Sequence, residues 1–227
     1  MRPKNPEMRP RGAKEPRRGR PRTLDRERVL DVAVRSYRDE GVVAVSLNEV
    51  CRRAQVSKPG VYREFGSEDG LMAAALERYN ERKLGPLRAL AEDDSATLRE
   101  TLDALVTLVV PEGGGDEGDG RGCLLVAMRG ALSGIGPETR ARIVRADAQL
   151  LELHGRWLRR AEAAGELAPH AGVGLAARYV HAQVAGAMLL LAQGEERGGV
   201  REMLGLALSV LVVPGRAVAQ SLPTRST

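Results

Sequence analysis

Apolar and polar residues follow the period of an α-helix over most of the chain. From Thr23 onward, apolar residues recur every three or four positions, which places them on one helical face. The first stretch carries five of them, and Gly41 then ends the pattern: Val29, Leu30, Ala33, Val34 and Tyr37. No stretch alternates with period two for long enough to predict a strand. We therefore expect an all-α protein.

Two short capped helices follow the first one. Ser46 and Glu49 have the spacing of a capping box and open a helix that ends near Gln55. Ser57 is a second N-cap, for a helix from Lys58 to about Phe65. A tight turn between two such helices is a helix-turn-helix pattern. A fourth helix is expected over Ser67–Leu84.

The remainder of the chain predicts a helical bundle. Helical segments are expected near 95–110, 123–133, 138–165, 171–194 and 199–213, and the glycine-rich residues 112–122 predict a flexible loop. The sequence thus divides into four parts. These are a disordered basic arm (1–22), a helix-turn-helix domain (23–79), a second helical domain (80–215) and a flexible tail (216–227).

The positive charge is concentrated in the arm. The whole chain has a formal net charge of +5, whereas residues 1–22 alone hold nine basic and two acidic residues. Residues 23–79 carry nine basic and ten acidic residues, so bulk charge does not mark that domain. A detachable basic arm predicts a polyanionic partner, nucleic acid before membrane.

Several function classes are excluded by composition and motif. Two cysteines and three histidines without ligand spacing provide neither a disulfide framework nor a metal site, and no cofactor is expected. The N-terminus has no apolar leader segment, and the longest apolar runs are too short to span a bilayer. No nucleophile elbow, phosphate loop or paired-carboxylate motif is present. We expect a cytoplasmic protein that neither contacts a membrane nor acts as an enzyme.

The second short helix has the features of a recognition helix. At about 100° per residue, Val61 and Phe65 face inward. The outer face then presents Pro59 and Arg63, with Gly60 and Tyr62 on its flanks and Lys58 at its edge. Arg63 is expected to contact a guanine edge, and Lys58 and Tyr62 phosphates. The helix N-termini add two further predicted contacts, Ser46 and Ser57.

The arm contains a second DNA-binding pattern. Arg17-Arg-Gly-Arg-Pro-Arg22 resembles an AT-hook core, which implies that Arg17, Arg18, Arg20 and Arg22 enter the minor groove. The alternative is a solvated tail that raises nonspecific affinity only.

Residues 24–79 resemble the DNA-binding domain of the tetracycline-repressor (TetR) family. The resemblance rests on Val45-Ser-Leu-Asn-Glu-Val-Cys-Arg-Arg-Ala, Val56-Ser-Lys-Pro-Gly-Val-Tyr-Arg-Glu-Phe and Gly66-Ser-Glu-Asp-Gly-Leu, with Arg26-Glu-Arg-Val-Leu-Asp-Val-Ala before them. It implies a one-component transcriptional repressor that binds a double-stranded DNA operator and is released by a small-molecule effector. It also implies that residues 80–215 form a helical effector-binding and dimerisation domain. Two positions depart from the family pattern. Gln55 stands where glycine is common, and Glu68 stands where a phosphate-contacting lysine is frequent.

The C-terminal half predicts a homodimer through residues 171–213. Its last two helices are apolar almost all round, so each must bury more than one face. Two such helices from each protomer, packed about a twofold axis, would bury both and would predict a pseudopalindromic operator. Burial inside one monomeric core is the alternative.

The effector pocket is predicted less specifically. His154 and Asp147 lie on the apolar side of helix 138–165, where a polar group requires a partner or a ligand. Met128, Trp157 and Tyr179 are further pocket candidates. Ordinary core packing is the alternative for all five residues. Redox sensing by Cys123 is a separate hypothesis, which we favour less than plain packing of that residue. The rival functions are a nonspecific architectural DNA-binding protein and, less favoured, an all-helical enzyme.

Overall fold

The computed structural model describes residues 24–112 and 123–214, and these residues fold into α-helices without a β-strand. The helices are α1 (Arg26–Glu40), α2 (Leu47–Ala54), α3 (Lys58–Phe65), α4 (Glu68–Glu92), α5 (Leu98–Val109), α6 (Leu124–Gly130), α7 (Pro137–Ala163), α8 (Val173–Ala192) and α9 (Arg197–Ser209). The all-α prediction is confirmed. The basic arm, most of the glycine-rich loop and the C-terminal tail lie outside the described residues.

Side-chain caps define where the first helices begin. Ser46, Ser57 and Ser67 each accept a hydrogen bond from the backbone N–H three residues later. The predicted starts of α2, α3 and α4 are therefore confirmed. Only half of the predicted capping box forms, because the Glu49 carboxylate binds the guanidinium groups of Arg52 and Arg53.

Helix α4 is longer than the sequence predicts. It continues through Pro86 to Glu92, eight residues beyond the expected end at Leu84. A proline inside a helix removes one hydrogen bond, yet Leu84 and Ala91 are buried on either side of it. Arg160 of α7 also donates to the carbonyl oxygens of Ala91 (2.6 Å) and Asp93 (2.7 Å) at the end of α4. Tertiary contacts therefore maintain a helix that local propensity would end.

Two hydrophobic cores run through the protein, and they are not divided between the N-terminal and C-terminal halves of the chain. One core joins the second half of α4 with α5, α8, α9 and the end of α7. The other contains α1 to α3 and the start of α4, and it also includes Leu124, Leu125 and Met128 of α6 and Ile143 of α7. Helices α1 to α3 thus share their core with helices of the C-terminal half.

The last two helices leave an apolar face uncovered. Leu175 and Leu189 of α8, Met203 and Leu206 of α9, and Val210 directly after α9 are each exposed by 46–74%. Among the described residues, α8 is the one helix long and apolar enough to cross a membrane by length and composition. Its longest uninterrupted apolar run is nevertheless too short to span a bilayer. A core helix of a water-soluble protein meets the same criteria. Only 28% of its apolar window is buried within the protomer.

Candidate nucleic-acid interface and interior polar cluster

Helix α3 presents four of its predicted contact residues to solvent. Val61 is fully buried and anchors the helix, whereas Lys58, Pro59, Tyr62 and Arg63 are exposed on the other side. The Lys58 ammonium lies 5.8 Å from the centroid of the Tyr62 ring, a cation–π distance that keeps both groups together at the edge of the helix.

Gly60 does not lie on this exposed face, contrary to the prediction. It is buried, and a Cβ atom there would lie 3.1 Å from Ser57 Oγ and 3.5 Å from a methyl group of Leu24. Its N–H donates to Ser57 Oγ at 3.3 Å. A side chain here would therefore crowd the Ser57 hydroxyl that caps α3, and Gly60 faces the protein interior rather than solvent.

Carboxylates neutralise the other basic residues of the motif. Arg52 is paired with Glu49, and Arg53 with both Glu49 and Glu40. Hydrogen bonds from these two guanidinium groups lower the pKa of Glu49 to about 2. Arg63, in contrast, has no ion-pair partner among the described residues. Among the described basic residues of α2 and α3, Lys58 and Arg63 are therefore the two without a carboxylate partner, and both lie on α3.

The turn between α2 and α3 accommodates glutamine in a backbone conformation that favours glycine. Gln55 has φ 57° and ψ 44°, which is the left-handed region. Its side-chain Oε1 accepts from Nη2 of Arg28 at 3.2 Å, which ties the turn to α1. This departure from the family pattern therefore has a compensating contact.

Two adjacent carboxylates in the first turn of α4 connect both halves of the protein. Glu68 Oε1 accepts from the N–H of Leu47 at 3.0 Å and so caps α2. Asp69 accepts from the N–H groups of Gly136 (3.2 Å), Glu138 (2.8 Å) and Thr139 (3.2 Å) and so caps α7. The acidic residue at position 68 thus has a structural role at the α2 N-terminus, beside the exposed Ser46. Sequence analysis did not reveal either contact.

A polar cluster lies between α6, α7 and α8 in the interior of the C-terminal half. Nη2 of Arg129 is paired with Oδ1 of Asp147 and lies 2.7 Å from Nε2 of His181. A guanidinium group only donates, so Nε2 accepts and the His181 ring is neutral. Burial and the adjacent Arg129 lower the pKa of His181, which favours the same state.

His154 lies deeper in the same region. It is 2% exposed, its ring centroid is 6.3 Å from that of His181, and Trp157 packs edge-on against it at 5.9 Å. Burial lowers the pKa of His154 to about 4, and its Nδ1 has no hydrogen-bond partner among the described residues. The structure therefore brings together three of the predicted pocket residues: Asp147, His154 and Trp157.

The other two pocket candidates lie elsewhere. Met128 is fully buried in the core that holds the DNA-binding helices. The Tyr179 hydroxyl donates to the carbonyl oxygen of Ala207 at 2.9 Å, so this side chain connects α8 to α9. Sequence analysis missed Arg129 and His181. Arg129 is the one charged residue of α6, and that isolation was an available indication. His181 has the polar residues Arg178 and Gln183 close by on α8, so the local pattern did not single it out.

Comparisons with known proteins agree with this geometry. Residues 29–75 match the family model of bacterial regulatory proteins, tetR family. An HTH-type transcriptional regulator of Mycobacterium tuberculosis (strain CDC 1551 / Oshkosh) is 30% identical over 158 residues, which span 59% of this chain and 77% of that protein. The chain belongs to the TetR family. The predictions of the family and of a transcriptional regulator rather than an enzyme are thereby confirmed.

Other TetR-family proteins match over different lengths. The HTH-type transcriptional repressor ComR of Escherichia coli (strain K12) is 37% identical over 65 residues, which span 29% of this chain and 31% of ComR. The chain spans less than half the length of the first three curated relatives that it matches. A structure of the TetR-family regulator CifR, a cysteine mutant complexed with 26-bp operator DNA, is 27% identical with a TM-score of 0.71. That match covers 84% of this chain and 98% of the CifR chain.

The two cysteines are both free. Cys51 is buried in the DNA-binding core and Cys123 is half-buried at the start of α6. Burial, together with the Cys123 thiol, raises the pKa of the Tyr79 hydroxyl.

Proposed function

We propose that this TetR-family protein is a transcriptional repressor that binds a pseudopalindromic operator as a homodimer and is released by a small-molecule effector. The observation that carries the proposal is the exposed Arg63 on α3. The other arginines of the helix-turn-helix motif are held by carboxylates, whereas Arg63 has no such partner among the described residues. A free guanidinium on the outer face of the recognition helix suits a bidentate contact with guanine.

The remaining predicted contacts have supporting roles. Lys58 and Tyr62 would bind phosphates at the edge of the helix, and Ser46, Ser57 and Pro59 lie exposed at the helix N-termini. Arg17, Arg18, Arg20 and Arg22 would add affinity from the minor groove. They lie outside the described residues, and their role is proposed from the sequence alone.

A footprint on the DNA flanking the gene of this protein tests the operator contacts. Arg63→Ala should lose operator selectivity by about 1–3 kcal/mol, the usual value of one bidentate base contact. Arg156→Ala is the matched control, because this exposed arginine of α7 pairs with Glu152 far from the motif. If Arg63→Ala leaves the footprint unchanged, α3 is not the recognition helix. Equal affinity of the unaltered protein for random and operator duplexes would instead favour an architectural DNA-binding protein.

The uncovered face of α8 and α9 supports dimerisation. Its five large apolar side chains lie on two adjacent helices that pack on each other, and four helices about a twofold axis would bury all of them. Leu206→Glu places a charge at the most exposed of these positions, at 74%. Val144→Glu is the matched control, since Val144 is 68% exposed on α7 outside the proposed interface. Sedimentation should give a monomer for the first variant and a dimer for the second.

Effector binding would act on the DNA-binding helices through shared packing. Helix α6 contributes to the core that holds α1 to α3, and Asp69 fastens α7 to the first turn of α4. A ligand that moves α6 or α7 would therefore change the relative populations of two dimer conformations, which differ in the distance between their two α3 helices. It can do so only if it binds the two states with different affinity. We also propose a cytoplasmic location, in which the apolar face of α8 contacts the partner protomer.

A further inference from the structure

The interior polar cluster has hydrogen-bonding capacity that the protein itself does not use. Four buried polar side-chain atoms lack a partner among the described residues, and two of them are Nε of Arg129 and Nδ1 of His154. Buried polar atoms are nearly always paired in folded proteins, so two orphans in one cluster require an explanation. They lie between α6, α7 and α8, where a bound ligand would be close to both hydrophobic cores.

Asp147 occupies only part of the Arg129 guanidinium. Its Oδ1 pairs with Nη2, and His181 lies at the same nitrogen, whereas the adjacent Nε–H donates to nothing. Nε and Nη2 form one edge of the guanidinium group, which a single carboxylate can bind through both of its oxygens. The edge formed by Nε and Nη2 of Arg129 can therefore bind both oxygens of a carboxylate, whereas Asp147 supplies only one oxygen to it.

Exposure distinguishes an outer end of the cluster, at Arg129 and Asp147, from an inner end, at His154 and Trp157. The side chains of Arg129 and Asp147 are 23% and 31% exposed, so Asp147 can turn into water without being left buried and charged. His154 is 2% exposed and Trp157 is 4% exposed, so the inner end is apolar apart from one imidazole nitrogen. A ligand that fits this order has an anionic group at Arg129 and an apolar body directed toward Trp157.

We propose that the effector is a small monocarboxylate with an apolar body, and that its carboxylate replaces Asp147 on Arg129. This inference rests on the proposed function, since it names the chemical class of that effector. Asp147 occupies the site in the ligand-free state. His154 lies beside the apolar body, and its neutral ring avoids placing a further buried charge beside Arg129.

The class of ligand can be tested on the unaltered full-length protein. Benzoate and butyrate are compared with benzamide and butyramide, which have nearly the same shape and no charge. The carboxylates should bind in calorimetry and raise the melting temperature, and the amides should not. Equal binding of an acid and its amide, or no binding of either acid, overturns the proposal.

Variants then test the residues. Arg129→Gln should abolish the response to benzoate, and Arg129→Lys, which keeps the cation and loses the two-donor edge, should weaken it. Asp147→Asn removes the competing carboxylate and should tighten benzoate binding about fivefold, as expected for loss of a partly exposed ion-pair competitor. Arg142→Gln is the matched control, because it breaks another interhelical ion pair, with Glu77, outside the cluster. Weaker benzoate binding by Asp147→Asn would contradict the exchange.

Operator binding is measured separately, without and with benzoate. If the ligand-free protein does not bind the operator, the proposed function is refuted, and the proposal of a carboxylate site still stands. Benzoate binding without release of the operator would retain the site and refute its role as the effector site. If Arg129→Gln fails to fold, the comparison of acids with amides on the unaltered protein still decides the ligand class.

Discussion

Acid should destabilise this protein through His154. The side chain is almost completely buried, and burial together with the nearby His181 lowers its pKa from 6.5 to about 4. Between these two values the unfolded chain binds a proton at this residue and the folded chain does not. The free energy of unfolding therefore falls as the pH falls through this window. The difference between the two pKa values corresponds to about 3 kcal/mol in total and to about 2.5 kcal/mol at about pH 4.5.

Chemical denaturation at fixed protein concentration, followed by far-ultraviolet circular dichroism, measures this effect. His154→Gln keeps a polar side chain and removes the titration, so its stability should fall less than that of the unaltered protein between neutral pH and about pH 4.5. His170→Gln is the matched control, because His170 is exposed and should leave the pH dependence unchanged. His154 is not the acid-sensitive group if both variants lose as much stability in acid as the unaltered protein. That result would assign the acid sensitivity to other groups.

Three further substitutions test individual contacts, each by the denaturation midpoint. Asp69→Ala removes the cap of α7 and leaves the buried Thr139 hydroxyl without its carboxylate partner, so it should cost about 2 kcal/mol; an unchanged midpoint would show that the cap contributes nothing. Gly70→Ala places a Cβ 2.0 Å from a backbone carbonyl oxygen and should cost about 2–3 kcal/mol, whereas Gly174→Ala, which meets nothing within 4 Å, should be neutral or stabilising. Gln55→Gly relieves the left-handed conformation and should add up to about 1 kcal/mol; a lower midpoint would mean that the side-chain contact outweighs the strain.

Local sequence determined the helix-turn-helix motif of this protein. The caps at Ser46, Ser57 and Ser67 act within one turn of each helix, so the residues of that turn are enough to predict where α2, α3 and α4 begin. The inward position of Val61 follows from helical periodicity in the same way. Gly60 was placed on the wrong side because its burial depends on Leu24, which lies before α1.

Contacts between distant residues were decided by the tertiary structure alone. Arg129, Asp147 and His181 come from three helices, and no spacing along the chain indicates that they meet. The caps that Glu68 and Asp69 supply to other helices are equally nonlocal. The same holds for the continuation of α4 through Pro86, which depends on packing and on Arg160. The sequence by itself therefore determined where α2, α3 and α4 begin, and it determined the family. Packing decided how the DNA-binding helices share a core with α6 and α7 and where the buried charges are paired, because those interactions join residues that only folding brings together.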